Sequence, residues 1–202
     1  MSLVLRSGPH TMIDMTTACR RTAALLGAIR DDQLNAATPC ERLSLAEVVA
    51  HAGSLGVAFA AAARKDLGDL TDAPPEADAY VLDDDWRDRY PANLAELAAA
   101  WREPAAWDGM TRLAGMDMPG EVVAMIALGE VTIHGWDIAV ATGQDYAVDD
   151  DTARAVLSYV ESFAADGPVD GLFGPAVPVP DDAPTFDRVL AVSGRDPRWG
   201  AN

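Results

Sequence analysis

The sequence predicts an all-α fold on three observations. Ala, Leu and Val recur at helical spacing along most of the chain, runs of alternating β-branched residues are nearly absent, and proline and glycine collect in a few connecting segments. A length of 202 residues suits a single domain, and with half of them apolar the chain can build one sizeable core. The expected architecture is a four-helix bundle with a long crossover connection, one or two additional short helices and a small hairpin.

Residues 1–11, which include His10, lack helical periodicity and read as a disordered N-terminal extension, leaving 12–202 as one helical domain. The first helix is expected from Ile13 to about Arg30, with Met15, Cys19, Thr22, Leu26 and Ile29 on its buried stripe. Thr38-Pro39-Cys40 forms a turn. The second helix opens at a capping box, Ser44 with Glu47, and runs to about Lys65, burying Val48, Ala52, Leu55 and Phe59. Asp66 to Asp84, with Gly68, Pro74 and Pro75 among acids, reads as the long crossover.

The third helix spans about Asp85 to Arg102, with Pro91 offsetting its start or kinking it, Leu94, Leu97 and Trp101 facing inward, and Pro104 ending it. Met110 to Met118 suits a short hairpin around Gly115. The fourth helix starts at Pro119 and stops at Gly143. A fifth is expected near Asp150 or Asp151, capped by their carboxylates, burying Val156, Tyr159, Val160 and Phe163 and ending at Gly167. Residues 167–184, rich in proline, read as an extended strap before a last helix from Thr185 to Val192.

Thirty-two acidic against 15 basic residues give a formal charge of −17, which repels phosphate backbones and anionic lipid and so argues against nucleic-acid and membrane binding. No charge-free apolar stretch reaches the ~18 residues of a membrane span. Two cysteines, Cys19 and Cys40, are too few for a disulfide framework, and the chain opens without a leader pattern, so a reducing cytoplasm is expected.

The chemistry concentrates on two helices. His51 lies three residues after Val48 and four before Leu55, on the apolar stripe of the second helix. His134 follows Glu130 by four residues on the fourth, which places the two side chains about 40° apart on one face, shared with Ile126, Ala127 and Ile138. A carboxylate in apolar surroundings is costly unless it is paired or holds a cation. Two imidazoles and a carboxylate suit zinc, or nickel or manganese, and leave positions open for water or substrate. The same spacing also serves a plain ion pair, and a core histidine is often satisfied by a backbone carbonyl. Asp137, three residues past His134, could replace Glu130 as ligand or orient His134.

Cys40 stands near a helix N-terminus, which would lower its pKa for nucleophilic work, or it simply fills a packed turn. Trp136 could shape a pocket or pack a helix. Arg195, Arg198 and Trp199 form a basic-aromatic end suited to an anionic group or to tying down the C-terminus.

Four motifs in order carry a family resemblance: Thr38-Pro39-Cys40 before Val49-Ala50-His51, Gly129-Glu130-Val131-Thr132-Ile133-His134-Gly135-Trp136-Asp137, Phe173-Gly174-Pro175-Ala176-Val177-Pro178-Val179, and Gly194-Arg195-Asp196-Pro197-Arg198-Trp199. Over residues 12–199 the chain resembles the actinobacterial metal-binding branch of the DinB-like superfamily, which includes the N-terminal domain of mycothiol-dependent maleylpyruvate isomerase. The resemblance implies a four-helix core and a divalent metal, commonly zinc, on His51, Glu130 and His134. It also implies mycothiol as a thiol cofactor, and hence an S-transferase or isomerase acting through a metal-activated thiol on a small-molecule substrate. The alternatives are a non-enzymatic metal or small-ligand binding protein, a metal-dependent hydrolase with Asp137 as base, and a metal-free helical homodimer.

Overall fold

The computed structural model describes residues 12–72, 80–164, 167 and 173–200. The expected N-terminal extension, and Pro74, Pro75 and Pro168 of the two connections, lie outside these residues.

Helix α1 (Thr16–Ala28) begins where Asp14 accepts a hydrogen bond from the Thr16 backbone, and it buries the stripe read from its spacing, Met15 through Ile29. A 3-10 turn at Asp31–Gln33 leads to α2 (Leu45–Arg64). Its start is the predicted reciprocal cap, with Glu47 Oε2 accepting from the Ser44 backbone at 2.7 Å and Ser44 Oγ accepting from the Glu47 backbone.

The crossover is not wholly irregular, since it contains the single-turn helix α3 (Asp69–Asp72). Helix α4 (Trp86–Trp101) runs through Pro91, buries Leu94, Leu97 and Trp101, and lies close on α2 because Gly53 has no side chain. A Cβ there would stand 2.5 Å from the Tyr90 ring. Pro104 opens a further short helix, α5 (Pro104–Trp107), in the first-turn position where a missing N–H costs nothing.

Strands β1 (Met110–Leu113) and β2 (Met116–Pro119) pair antiparallel, with Leu113 opposite Met116. Ala114 and Gly115 between them both hold positive φ, 52° and 75°, as a two-residue hairpin turn of the right twist demands. Helix α6 (Gly120–Thr142) is apolar almost all round, which marks a helix enclosed by its neighbours. It ends at Gly143 in the left-handed conformation.

Helices α1, α2, α4 and α6 form the core, α1 and α2 each packing on both α4 and α6. Outside it, α7 (Asp150–Ala164) packs on α6 and on α8 (Thr185–Val192). Two expectations for α7 need correction. The side chain that caps it is Asp149, which accepts from the Thr152 backbone at 3.0 Å, one residue ahead of the acids expected there. Phe163 is 38% exposed, its ring resting beside Tyr159 with centroids 5.0 Å apart. Helices α2 and α6 are long and apolar enough to cross a bilayer by length and composition, and most of each is buried inside the fold.

Candidate metal centre

Two packed helices supply the site. α2 contributes His51, and α6 contributes Glu130 and His134 one turn apart. Glycines on either side of this turn let neighbours close on it. A Cβ at Gly129 would meet the Tyr159 ring of α7 at 2.7 Å, and one at Gly135 would meet Thr22 Oγ1 and Tyr146 Oη at 2.5 Å.

One potential donor atom from each of His51, Glu130 and His134 lies within 4.8 Å of the others. Glu130 Oε2 is the hub, with His134 Nε2 at 3.1 Å and His51 Nε2 at 3.4 Å. Oε2 is buried and meets no hydrogen-bond geometry, so what joins it to the two imidazoles is charge at ion-pair distance. The two imidazole rings meet edge to face, centroids 4.9 Å apart.

Their surroundings differ. His134 Nδ1 lies 2.9 Å from Asp137 Oδ2, a fully buried carboxylate that also accepts from Arg195 Nη2 at 3.1 Å. Asp137 therefore sits behind His134, outside the converging trio, and backs the imidazole. Committed to two partners and sealed from solvent, it is badly placed to act as a hydrolytic base. Arg195, 7% exposed, is equally committed, its Nη1 donating to the Ser193 carbonyl at 3.0 Å, and so is not free for an anionic ligand. Arg198 is exposed and pairs with Asp196.

Charge follows this geometry. Burial alone would lower the His134 pKa, but Asp137 and Glu130 raise it to about 9. Burial would raise Glu130, yet His134 and His51 hold its carboxyl well below the usual range. Asp137 is likewise held low against its burial, first by the Arg195 charge. His51 goes the other way, its pKa lowered mainly by burial.

Sequence reasoning missed Tyr80, whose ring lies 4.7 Å from His51 at a steep angle. It belongs to an irregular connection, where no periodicity marks a partner. Cys40 stands within electrostatic reach of Glu130, Asp137 and Arg195. The lowered pKa considered for it is not found, because burial pushes the thiol up. Trp136 is buried, in keeping with helix packing.

Two uncharacterized proteins of Mycobacterium tuberculosis, from strains CDC 1551 / Oshkosh and ATCC 25618 / H37Rv, are each 29% identical to the chain over 184 residues, covering 87% of it and 92% of their own length. Among solved structures, the crystal structure of a histidine-to-alanine mutant of mycothiol-dependent maleylpyruvate isomerase matches with a TM-score of 0.53 at 18% identity, over 77% of this chain and 70% of that one. The structure of the isomerase itself matches with a TM-score of 0.52, over 73% and 65%. These likenesses establish the fold, and the expected all-α DinB-like bundle with a small hairpin is borne out. Residues 15–139 match the model of the mycothiol maleylpyruvate isomerase N-terminal domain, a span that holds His51, Glu130, His134 and Asp137 but not Arg195. On that match, which takes in more than half of its length, the chain belongs to the mycothiol maleylpyruvate isomerase N-terminal domain family.

Proposed function

We propose that residues 12–202 form one domain that binds a single divalent metal ion through His51, Glu130 and His134 and uses it in a thiol-dependent transfer or isomerisation. The observation that carries the proposal is Glu130 Oε2, buried, without a hydrogen bond, and flanked by two imidazole nitrogens at 3.1 and 3.4 Å. A tetrahedral zinc ion with bonds of about 2.0–2.1 Å separates its ligand atoms by about 3.3–3.4 Å, which the two distances from Glu130 match, while the set as a whole lies within 4.8 Å and would draw together on the ion. Without one, the buried carboxylate relies on pairing with the imidazoles, which needs a protonated His134.

The donor set favours zinc, with nickel or manganese as alternatives, and three protein ligands leave a position open. When bound, the ion would supply Lewis acidity that lowers the pKa of a thiol or water placed on it. The chain's own residues orient and enclose. Asp137 keeps the Nδ1 of His134 occupied so that Nε2 faces Glu130. The cavity that Glu130 shares with Leu55, Phe59, Leu94 and Leu97 measures about 10 Å³, room for one water at most.

Family membership supports mycothiol as the thiol, since the related solved enzyme is mycothiol-dependent by name. The formal charge of −17 supports small-molecule partners over nucleic acid or membrane. A second reading, a non-enzymatic metal or small-ligand binding protein, draws on Cys40 and Tyr80. Burial pushes the pKa of both up, so neither supplies an acid or base near neutral pH.

The deciding experiment measures metal by mass spectrometry in protein purified without chelator or metal-affinity resin, beside His134→Ala. It then follows mycothiol consumption with maleylpyruvate and other electrophiles. About one equivalent of metal, absent from the variant, together with metal-dependent thiol turnover, is expected. Metal without turnover selects the second reading. No metal after reconstitution with zinc, nickel and manganese overturns the metal-dependent reading and the metal-binding form of the second.

A further inference from the structure

We propose that Asp137 and Arg195 form a positioning pair that locks the His134 imidazole with Nδ1 protonated and Nε2 presented to the centre. The inference rests on the metal reading for its consequence and on geometry for its substance. The Asp137 carboxylate is fully buried, and its two oxygens are shared between His134 Nδ1 at 2.9 Å and a fork of the Arg195 guanidinium, Nη2 at 3.1 Å and Nε at 3.4 Å.

A carboxylate held by one imidazole alone could rotate about its side-chain bonds and take the ring with it. The two-pronged guanidinium removes that freedom, because planar bidentate pairing fixes the carboxylate plane as well as its distance. Arg195 is fixed in turn by its bond to the Ser193 carbonyl at the end of α8. The hydroxyl of Ser193 donates to the Leu190 carbonyl at 2.9 Å, so the segment is anchored before the arginine leaves it. A histidine that ligates a metal with one nitrogen is oriented by the partner of the other, and here that partner is itself oriented.

The pair also joins two parts of the chain. Asp137 lies inside the span matched by the family model and Arg195 outside it, 58 residues further on. The metal-binding helices are thus completed by the C-terminal segment, and the domain matched by the family does not by itself contain everything that holds His134. Neither residue faces the converging donor atoms, so both act through His134.

The test uses the full chain with Arg195→Met, which keeps the length of the side chain and removes the fork, Arg195→Lys, which keeps the charge, and Asp137→Asn. Two readouts are taken, zinc affinity by competition with a chromophoric chelator and the 15N shifts of the His134 ring, which report its tautomer. In the zinc-bound wild type the ring is expected with its proton on Nδ1 and Nε2 free of one. In Arg195→Met and Asp137→Asn that preference weakens and zinc affinity falls about 10–100-fold, with Arg195→Lys recovering part of both.

A role confined to stability would lower the melting temperature and leave tautomer and affinity at wild-type values, which overturns the proposal. If the wild type binds no metal, the metal reading falls on its own. The ring shifts of wild type and Arg195→Met, recorded at a pH well above 9 where the metal-free His134 ring is neutral, then decide the positioning pair, a retained tautomer in the variant rejecting it and a lost one sustaining it.

Discussion

The two imidazoles of the candidate centre are held by different means. On the α6 side His134 is engaged at both nitrogens, by Asp137 at 2.9 Å and beside Glu130 at 3.1 Å, and Arg195 stands behind Asp137. On the α2 side His51 meets Glu130 at 3.4 Å, and its Nδ1 is buried without a partner. What seats that ring is shape, through edge contacts with Tyr80 and with His134. One half of the centre is anchored by charge and the other by packing. The same perturbation applied to each should therefore give different results.

The largest contrast is expected in the metal-free protein. Asp137→Ala strips the counter-charge from a buried guanidinium and should cost about 3–5 kcal/mol in urea denaturation. His51→Leu removes an unpartnered Nδ1 together with the 3.4 Å contact of Nε2 with Glu130 and should cost less, about 0.5–1.5 kcal/mol. Loss of zinc in both, with the larger loss of stability in the first, would sustain the contrast. Equal destabilisation would erase it.

Protons sharpen it next. His134 has its pKa raised from 6.5 to about 9, so its charged form stabilises the metal-free fold fully below pH 6.5, and that contribution is lost as pH rises through about 9. The metal-free protein should accordingly lose stability between pH 7 and 10. Metal binding has the opposite sign, since an ion must displace that proton. Zinc affinity should rise about tenfold per pH unit up to about pH 9, with about one proton released per ion at pH 7. His51, pushed below its ordinary value by burial, contributes none. Titration calorimetry in two buffers of different ionisation enthalpy counts the proton, and a count of zero would make the two histidines equivalent.

Smaller effects follow. Tyr80→Ala removes a ring contact with His51 and should weaken zinc binding by about 0.5–1.5 kcal/mol, read by chelator competition. Arg198→Ala, exposed and paired only with Asp196, should leave zinc affinity unchanged although it lies three residues from Arg195. A drop there would mean that general disturbance of the C-terminal segment, and not the Arg195 fork, sets the affinity.

What could be read from the sequence was local. The Ser44 and Glu47 cap, the hairpin around Gly115 and the glycine stop at Gly143 each depend on neighbours a few residues apart, and each is found. The convergence of His51 on Glu130 and His134 could be anticipated because those positions lie on the apolar sides of two helices that pack together, where His134 is buried and the other two are half-buried. The backing of His134 was only half legible. Asp137 is on the right face by spacing, but nothing local distinguishes a ligand from an orienting carboxylate. Arg195 reaches it across 58 residues from a segment without periodicity. Tyr80 was hidden for the same reason. Phe163 and Asp149 show the remaining error, in which helix period and acidic caps are right in kind and off by a residue or a turn because tertiary neighbours decide where burial stops.

That separation also sets an order of events during synthesis. At about 5–20 residues per second, roughly 3–12 s pass between translation of Asp137 and of Arg195. In that interval both histidines and Glu130 already exist, while the carboxylate behind His134 has no guanidinium to meet. On the proposed metal reading, an ion captured early would be held by a ring still free to turn and would exchange, and the arrival of Arg195 would act as a latch that ends the exchange. A chain carrying Arg195→Met never receives the latch, and should trade bound zinc for cobalt faster than the wild type for as long as it stays folded.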